Sequence, residues 1–270
     1  MHEVVNKLNS LSLFVGTADC NARCKHCAGF PLRKYAPKED GIIDEKLIEK
    51  TVRNCYSKGA RYLSISSSGE PTLSPLAITK VMKLVHKLEK EGIKFSPINL
   101  YSNGIRIGED RSFCKKYLPL WRKCGLKTIY ITVHSVNEQK NAKIYGIKSY
   151  PSLQRVLSRI HSAGLSVRAN LVLSKETIIS SDDFISTIKH LIEIGVDYVS
   201  AWPIRSLDDK IDFKMSPSEA ELNIMEQWIE KNNKFGNRVR LLREKNRGVY
   251  KRGEKLTLFP DGTLSNTWCN

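Results

Sequence analysis

The 270-residue sequence has no uninterrupted apolar stretch near the ~18 residues that a membrane-spanning helix needs. Its opening, MHEVVNKLNSLSLFVG, carries Glu3 and only a short apolar run, so it does not read as a signal peptide. The expectation is a soluble, cytoplasmic protein. There is no low-complexity tract and no internal repeat beyond a strand-helix alternation. The seven cysteines are an odd number, which argues against a fully paired disulfide framework. In a reducing compartment, clustered thiols point first to metal or redox chemistry. Three of them, Cys20, Cys24 and Cys27, fall within eight positions, and no fourth lies near them. A second C-x2-C pair, which a zinc ribbon would use, is missing.

Acidic residues are few against basic ones, 28 against 44, giving a net charge of +16. That balance points to an anionic partner such as RNA, nucleotide phosphates or an acidic peptide. A general bias toward lysine would produce the same excess.

Hydrophobic periodicity divides the chain into six strand-helix units with glycine-ended joints. Strands are expected at 11–16, 61–66, 95–102, 128–135, 166–173 and 197–202. Helices are expected at 44–59, 74–92, 111–125, 152–164, 182–195 and 216–233. Such alternation implies a parallel α/β sheet with right-handed crossovers, here a partial (β/α)6 barrel. Chemistry then belongs on loops at the C-terminal ends of the strands, where the three cysteines lie. Residues 1–235 form the expected core domain. Residues 236–270 form an expected C-terminal extension packed on it. The extension holds a basic segment, Arg238 to Lys255, with eight basic and two acidic residues. A hairpin then turns at Pro260-Asp261-Gly262.

Three thiolates on one short loop can hold three corners of a cubane iron-sulfur cluster and leave the fourth iron open. The alternatives are a zinc site completed by His26, or a loop of free thiols. A second motif, GEP at Gly69, Glu70 and Pro71, directly follows the second strand. A carboxylate there can accept from an ammonium group, and the glycine lets a ligand approach the backbone. The YSNG turn at 101–104 follows strand three.

The C-x3-C-x2-C spacing after the first strand resembles the signature of the radical S-adenosylmethionine (SAM) superfamily. The resemblance covers roughly residues 11–235. It is strongest toward the group that contains the molybdenum-cofactor GTP cyclase, viperin and peptide-modifying enzymes. It implies that Cys20, Cys24 and Cys27 hold a 4Fe-4S cluster whose open iron is chelated by SAM. His26 fills a position that is usually aromatic in the family, and Ser68 replaces the first glycine of the family's GGEP. Gly69, Glu70 and Pro71 would hold the SAM amino group, and Ser102 and Asn103 would match the family's TNG turn. Ser135, Arg168 and Asn170 would be further cofactor contacts. Lys143 would neutralise the SAM carboxylate or stand in solvent, and the backbone of strand six, near Trp202, would meet the adenine.

The implied reaction is reductive cleavage of SAM to a 5′-deoxyadenosyl radical that takes hydrogen from a substrate. An electron donor such as flavodoxin or ferredoxin is implied with it. The expected substrate is a peptide or protein side chain; RNA or a nucleotide is the alternative. A non-catalytic, metal-bearing RNA-binding module is a third reading. Cys55, Cys114 and Cys124 fall in helices and are expected in the core. Cys269 is a candidate reactive thiol. With one cysteine there, no complete auxiliary cluster of the kind some family members carry is expected from these residues.

Overall fold

A computed structural model describes residues 8–27, 29–206, 210–232, 238–243 and 254–266. Six parallel strands follow in order: β1 (Leu8–Phe14), β2 (Tyr62–Ser66), β3 (Ile98–Ser102), β4 (Leu126–Val133), β5 (Ser166–Leu173) and β6 (Tyr198–Pro203). Each pairs with the next. The helices between them are α1 (Glu45–Ser57), α2 (Pro75–Lys90), α3 (Ile105–Glu109), α4 (Arg111–Lys123), α5 (Glu138–Tyr145), α6 (Leu153–His161) and α7 (Ser181–Glu193), with α8 (Glu219–Lys231) after β6.

The helices start where a short polar side chain can take an orphan amide. Asp44 caps α1 through Leu47 N at 2.9 Å, and Asp110 caps α4 through Phe113 N at 2.8 Å. Ser180 and Asp183 form a capping box on α7.

Strands that follow one another in a single direction, joined by right-handed crossovers, put every helix on the same face of the sheet. The two faces therefore differ. Toward the helices point Leu11, Leu63, Leu100, Ile129 and Val167, all without solvent exposure. The residues between them form the other face. The register sets Ser12 beside Ser64, Ser64 beside Asn99, and Asn99 beside Thr128. One row further on, Tyr101 lies beside Tyr130 and Tyr130 beside Arg168. This second face is polar and aromatic, as the inside of an open barrel should be. The sheet runs β7-β6-β5-β4-β3-β2-β1-β8-β9 and does not close.

Three elements were not expected from the sequence. α3 and α5 are short, and their apolar residues do not fill a full helical period. β7 (Val239–Leu241) lies within the basic segment and pairs in parallel with β6. β8 (Glu254–Leu258) and β9 (Leu264–Ser265) form the expected hairpin, and β8 also pairs in parallel with β1. Residues beyond 236 thus line both margins of the sheet. The buried Arg243 fastens this segment to α8, bonding Asn223 at 2.8 Å, Glu226 at 3.1 Å and Glu219. Most of the basic stretch, residues 244–253, lies outside the described residues, as does Cys269. Among the described residues, no helix is long and apolar enough to cross a membrane.

Candidate active site

The loop after β1 carries Cys20, Cys24 and Cys27, all free and half-buried. It is bound to the ends of two other strands and to the end of α5. Ser67, beyond β2, donates to the Thr17 carbonyl at 3.0 Å. The Glu70 amide donates to the Asp19 carbonyl at 2.8 Å. Asn103, beyond β3, donates through Nδ2 to Asn21 Oδ1 at 2.7 Å and lies 4.0 Å from Cys20 Sγ. The Arg23 amide donates to the carbonyl of Tyr145, the last residue of α5, at 2.7 Å.

Two glycines make this closeness possible. A Cβ on Gly69 would collide with the Asp19 carbonyl oxygen and crowd the backbone of Ala18. Gly146 has φ of 62°, and a Cβ there would lie 3.0 Å from the Arg23 carbonyl oxygen. Gly69 thereby makes room for the cysteine loop.

Glu70 is 3% exposed, and its carboxylate is filled from within the protein. Oε1 accepts from Thr72 N at 3.0 Å, Thr72 Oγ1 at 2.7 Å and Ser102 Oγ at 2.7 Å. Oε2 accepts from Asn103 N at 2.7 Å. Burial pushes the carboxyl above the usual carboxylate range, and these hydrogen bonds oppose that shift. Through these bonds Glu70 locks the β2 turn to the β3 turn, while Pro71 opens the short 3-10 turn Pro71–Leu73 beside it. Ser102 also accepts from Gly104 N at 3.0 Å, and Asn103 Oδ1 from Ile105 N at 3.0 Å.

Ser135 lies two residues beyond the end of β4 rather than on it. Its hydroxyl accepts from Asn137 N at 3.1 Å, and Asn141 Oδ1 holds the His134 and Ser135 amides at 3.0 and 3.3 Å. Arg168 and Asn170 stand lower, on β5. Arg168 Nε donates to Asn170 Oδ1 at 3.0 Å, and its guanidinium carbon lies 3.3 Å from the centroid of the Tyr130 ring. The structure therefore brings Cys20, Gly69, Glu70, Ser102 and Asn103 into one bonded unit. Arg168 and Asn170 form a separate pair on the polar face. Lys143 is exposed on α5, and Cys55, Cys114 and Cys124 are buried in the core.

The buried surroundings fit a metal cluster with an organic ligand. Burial, then its neighbours Cys27 and Cys20, push the Cys24 thiol up to about 12; burial likewise raises Cys20. Thiolates gathered this way need a cationic metal centre to be stable. Among the described residues, no three His, Cys, Asp or Glu side chains converge as a single ion would require. A multi-iron cluster places its ligands further apart. Next to the thiols, Ser68 Oγ, His26 Nε2 and His134 Nδ1 are buried with no hydrogen-bond partner among the described residues. Such orphaned groups in a buried polar site are the places where a ligand bonds.

Sequence reasoning missed several supporting residues. Tyr145 stacks on Tyr150, with centroids 5.2 Å apart, and their hydroxyls donate to the Thr132 and Asn103 carbonyls at 2.7 and 2.8 Å. His134 packs edge-on between Tyr145 and His26. No spacing in the sequence marks these contacts. The polar Asn141 within the short α5 was the one available sign.

A loop of three thiols at the C-terminal mouth of an open parallel barrel defines a class: α/β barrels built around a cluster with an open coordination site. Residues 14–191 match the Radical SAM superfamily, and the chain belongs to that family, whose members use a 4Fe-4S cluster and SAM. It is 26% identical over 216 residues to the GTP 3′,8-cyclase of Aquifex aeolicus, covering 78% of this chain and 62% of that protein. It is also 26% identical over 173 residues to the GTP 3′,8-cyclase of Actinobacillus pleuropneumoniae serotype 3, covering 63% and 46%. The chain thus spans less than two thirds of the length of these relatives. Among solved structures, Streptococcus suis SuiB bound to its precursor peptide SuiA superposes with a TM-score of 0.67 at 16% identity, over 97% of this chain and 60% of that one. The enzyme anSMEcpe with bound AdoMet and a Cp18Cys peptide gives 0.56 at 18% identity, over 86% and 62%. These structural likenesses show the shared fold.

Proposed function

We propose that this chain is a radical SAM enzyme that abstracts a hydrogen atom from a peptide or protein side chain. The observation that carries the reading is the cysteine loop, bound to the ends of β2 and β3 and to α5 so that its three thiols share one mouth. Cys20, Cys24 and Cys27 would hold the 4Fe-4S cluster. Bound there, the cluster and SAM would supply one-electron reductive cleavage and hydrogen-atom abstraction from the substrate. Glu70 acts as a positioning residue, fixing the 68–70 backbone and the 102–104 turn against the loop. Ser68 and His134, whose buried polar atoms lack hydrogen-bond partners among the described residues, would bond the SAM, with Ser135 beside them. The half-buried His26 ring, one residue from Cys27, packs edge-on against His134.

The peptide substrate draws support from the SuiB and anSMEcpe likenesses, whose solved complexes hold peptides. A nucleotide is the second reading, supported by the GTP 3′,8-cyclase relatives. Strands β1 to β7 contain no Asp or Glu, and Arg168 lies flat on Tyr130 across the polar face. A guanidinium held this way, with Nε already bonded, offers its remaining amino groups to a phosphate or carboxylate. Arg168 would then belong to the substrate chamber.

Electron paramagnetic resonance of the anaerobically reconstituted, reduced protein tests the cofactor assignment. Adding SAM should change the cluster spectrum, because SAM becomes a ligand of the open iron. A spectrum indifferent to SAM, or a preparation that takes up only zinc, would remove the reading.

A further inference from the structure

Parts of the cysteine loop face solvent. Cys24 is half-buried, yet the residues flanking it, Arg23 and Lys25, are both exposed. The outer face of the loop touches the end of α5: Arg23 N donates to the Tyr145 carbonyl, and Gly146 packs against the Arg23 carbonyl and Cβ. From α5 and the turn after it, Lys140, Lys143 and Lys148 are exposed as well. Within 23–25 and 138–148 the exposed charges are these five cations and one anion, Glu138. Glu176, also exposed, acts on His26 at the edge of the same region.

We propose that this surface, Arg23 and Lys25 together with Lys140, Lys143 and Lys148, is the docking face for an acidic one-electron donor protein. The inference rests on the radical SAM reading. An electron has to enter the cluster from outside while SAM and substrate occupy the mouth. The exposed residues on either side of Cys24 let a donor approach that loop from solvent. Five cations there attract a protein of negative surface and orient it before contact. The step is a single electron transfer: the donor is oxidised by one electron and the cluster is reduced by one. No atom is exchanged.

The test mixes the reconstituted protein with a pre-reduced acidic flavodoxin in a stopped-flow instrument and follows bleaching of the cluster absorbance. A parallel reaction uses dithionite, a small reductant that needs no docking face. The variant K140E/K143E/K148E keeps the thiol loop and the Glu70 lock intact. Flavodoxin-driven reduction should fall by about tenfold or more in the variant, and in the wild type it should slow steeply as salt is raised. Dithionite-driven reduction should stay within about twofold in both proteins. Lys143→Glu alone, the mildest change, should give a smaller loss in the same direction. Equal flavodoxin rates in wild type and variant would overturn the proposal, as would salt-independent reduction. So would a wild-type protein that neither flavodoxin nor an acidic ferredoxin can reduce while dithionite does. A cluster that accepts electrons but yields no 5′-deoxyadenosine would instead remove the enzymatic reading and leave the docking face standing.

Discussion

On its helix-facing side, β5 carries Val167, Ala169, Leu171 and Leu173, none more than 1% exposed. On its other side the same strand carries Ser166, Arg168 and Asn170, and Arg168 bonds Asn170 and covers Tyr130. The two faces answer to different physics. The first is held by burial, at about 25 cal/mol for each Å² of apolar surface removed from water. The second contributes little to that term and is free to carry polar groups suited to a ligand. Function in this molecule is written on the polar face and at its mouth, over a sheet whose stability comes from the opposite side.

Substitutions on the two sides should separate cleanly, and the largest effect lies at the mouth. Cys24→Ala should abolish cluster assembly and SAM cleavage, measured by iron content and 5′-deoxyadenosine, while the far-ultraviolet circular dichroism stays that of the wild type. On the helix-facing side, Leu63→Ala should cost about 2–5 kcal/mol of stability in a denaturant melt, because it opens a cavity in a fully buried layer. Its cluster content at low temperature should be retained. Glu70→Ala crosses the comparison. It leaves four donors without an acceptor, so it should lower stability by a few kcal/mol. It should also weaken SAM binding, read by equilibrium dialysis of the reconstituted protein, because the turns lose their lock. Ser12→Ala, on the polar face, should change stability by no more than about 1 kcal/mol, since it removes only a hydroxyl contact with Ser64. A Ser12 effect as large as that of Leu63 would break the distinction between the faces.

Much of this division is legible in the sequence. The alternation in SVRANLVL marks β5 and its two faces, and C-x3-C-x2-C after the first strand marks the mouth. What cannot be read is contact over long separations. Gly69 meets Asp19 across the sheet, so its role looks local in the sequence and is not. Glu70 draws its donors from Thr72, Ser102 and Asn103, and only the folded chain gathers them. β7 was hidden because three residues, Val239–Leu241, give too short a pattern within a basic stretch. α5 was hidden because its buried face, made by Asn141, Ala142, Ile144 and Tyr145, mixes a polar side chain into eight residues that span barely two turns.

The central claim is that the three thiols at the mouth, and not the other cysteines, carry the chemistry. The most direct measurement is anaerobic: reconstitute with iron and sulfide, add SAM and dithionite, and quantify 5′-deoxyadenosine by mass spectrometry. Wild type and Cys55→Ala, whose thiol is buried in α1, should both form it, and Cys24→Ala should form none. Product from Cys24→Ala at the wild-type level would contradict the account.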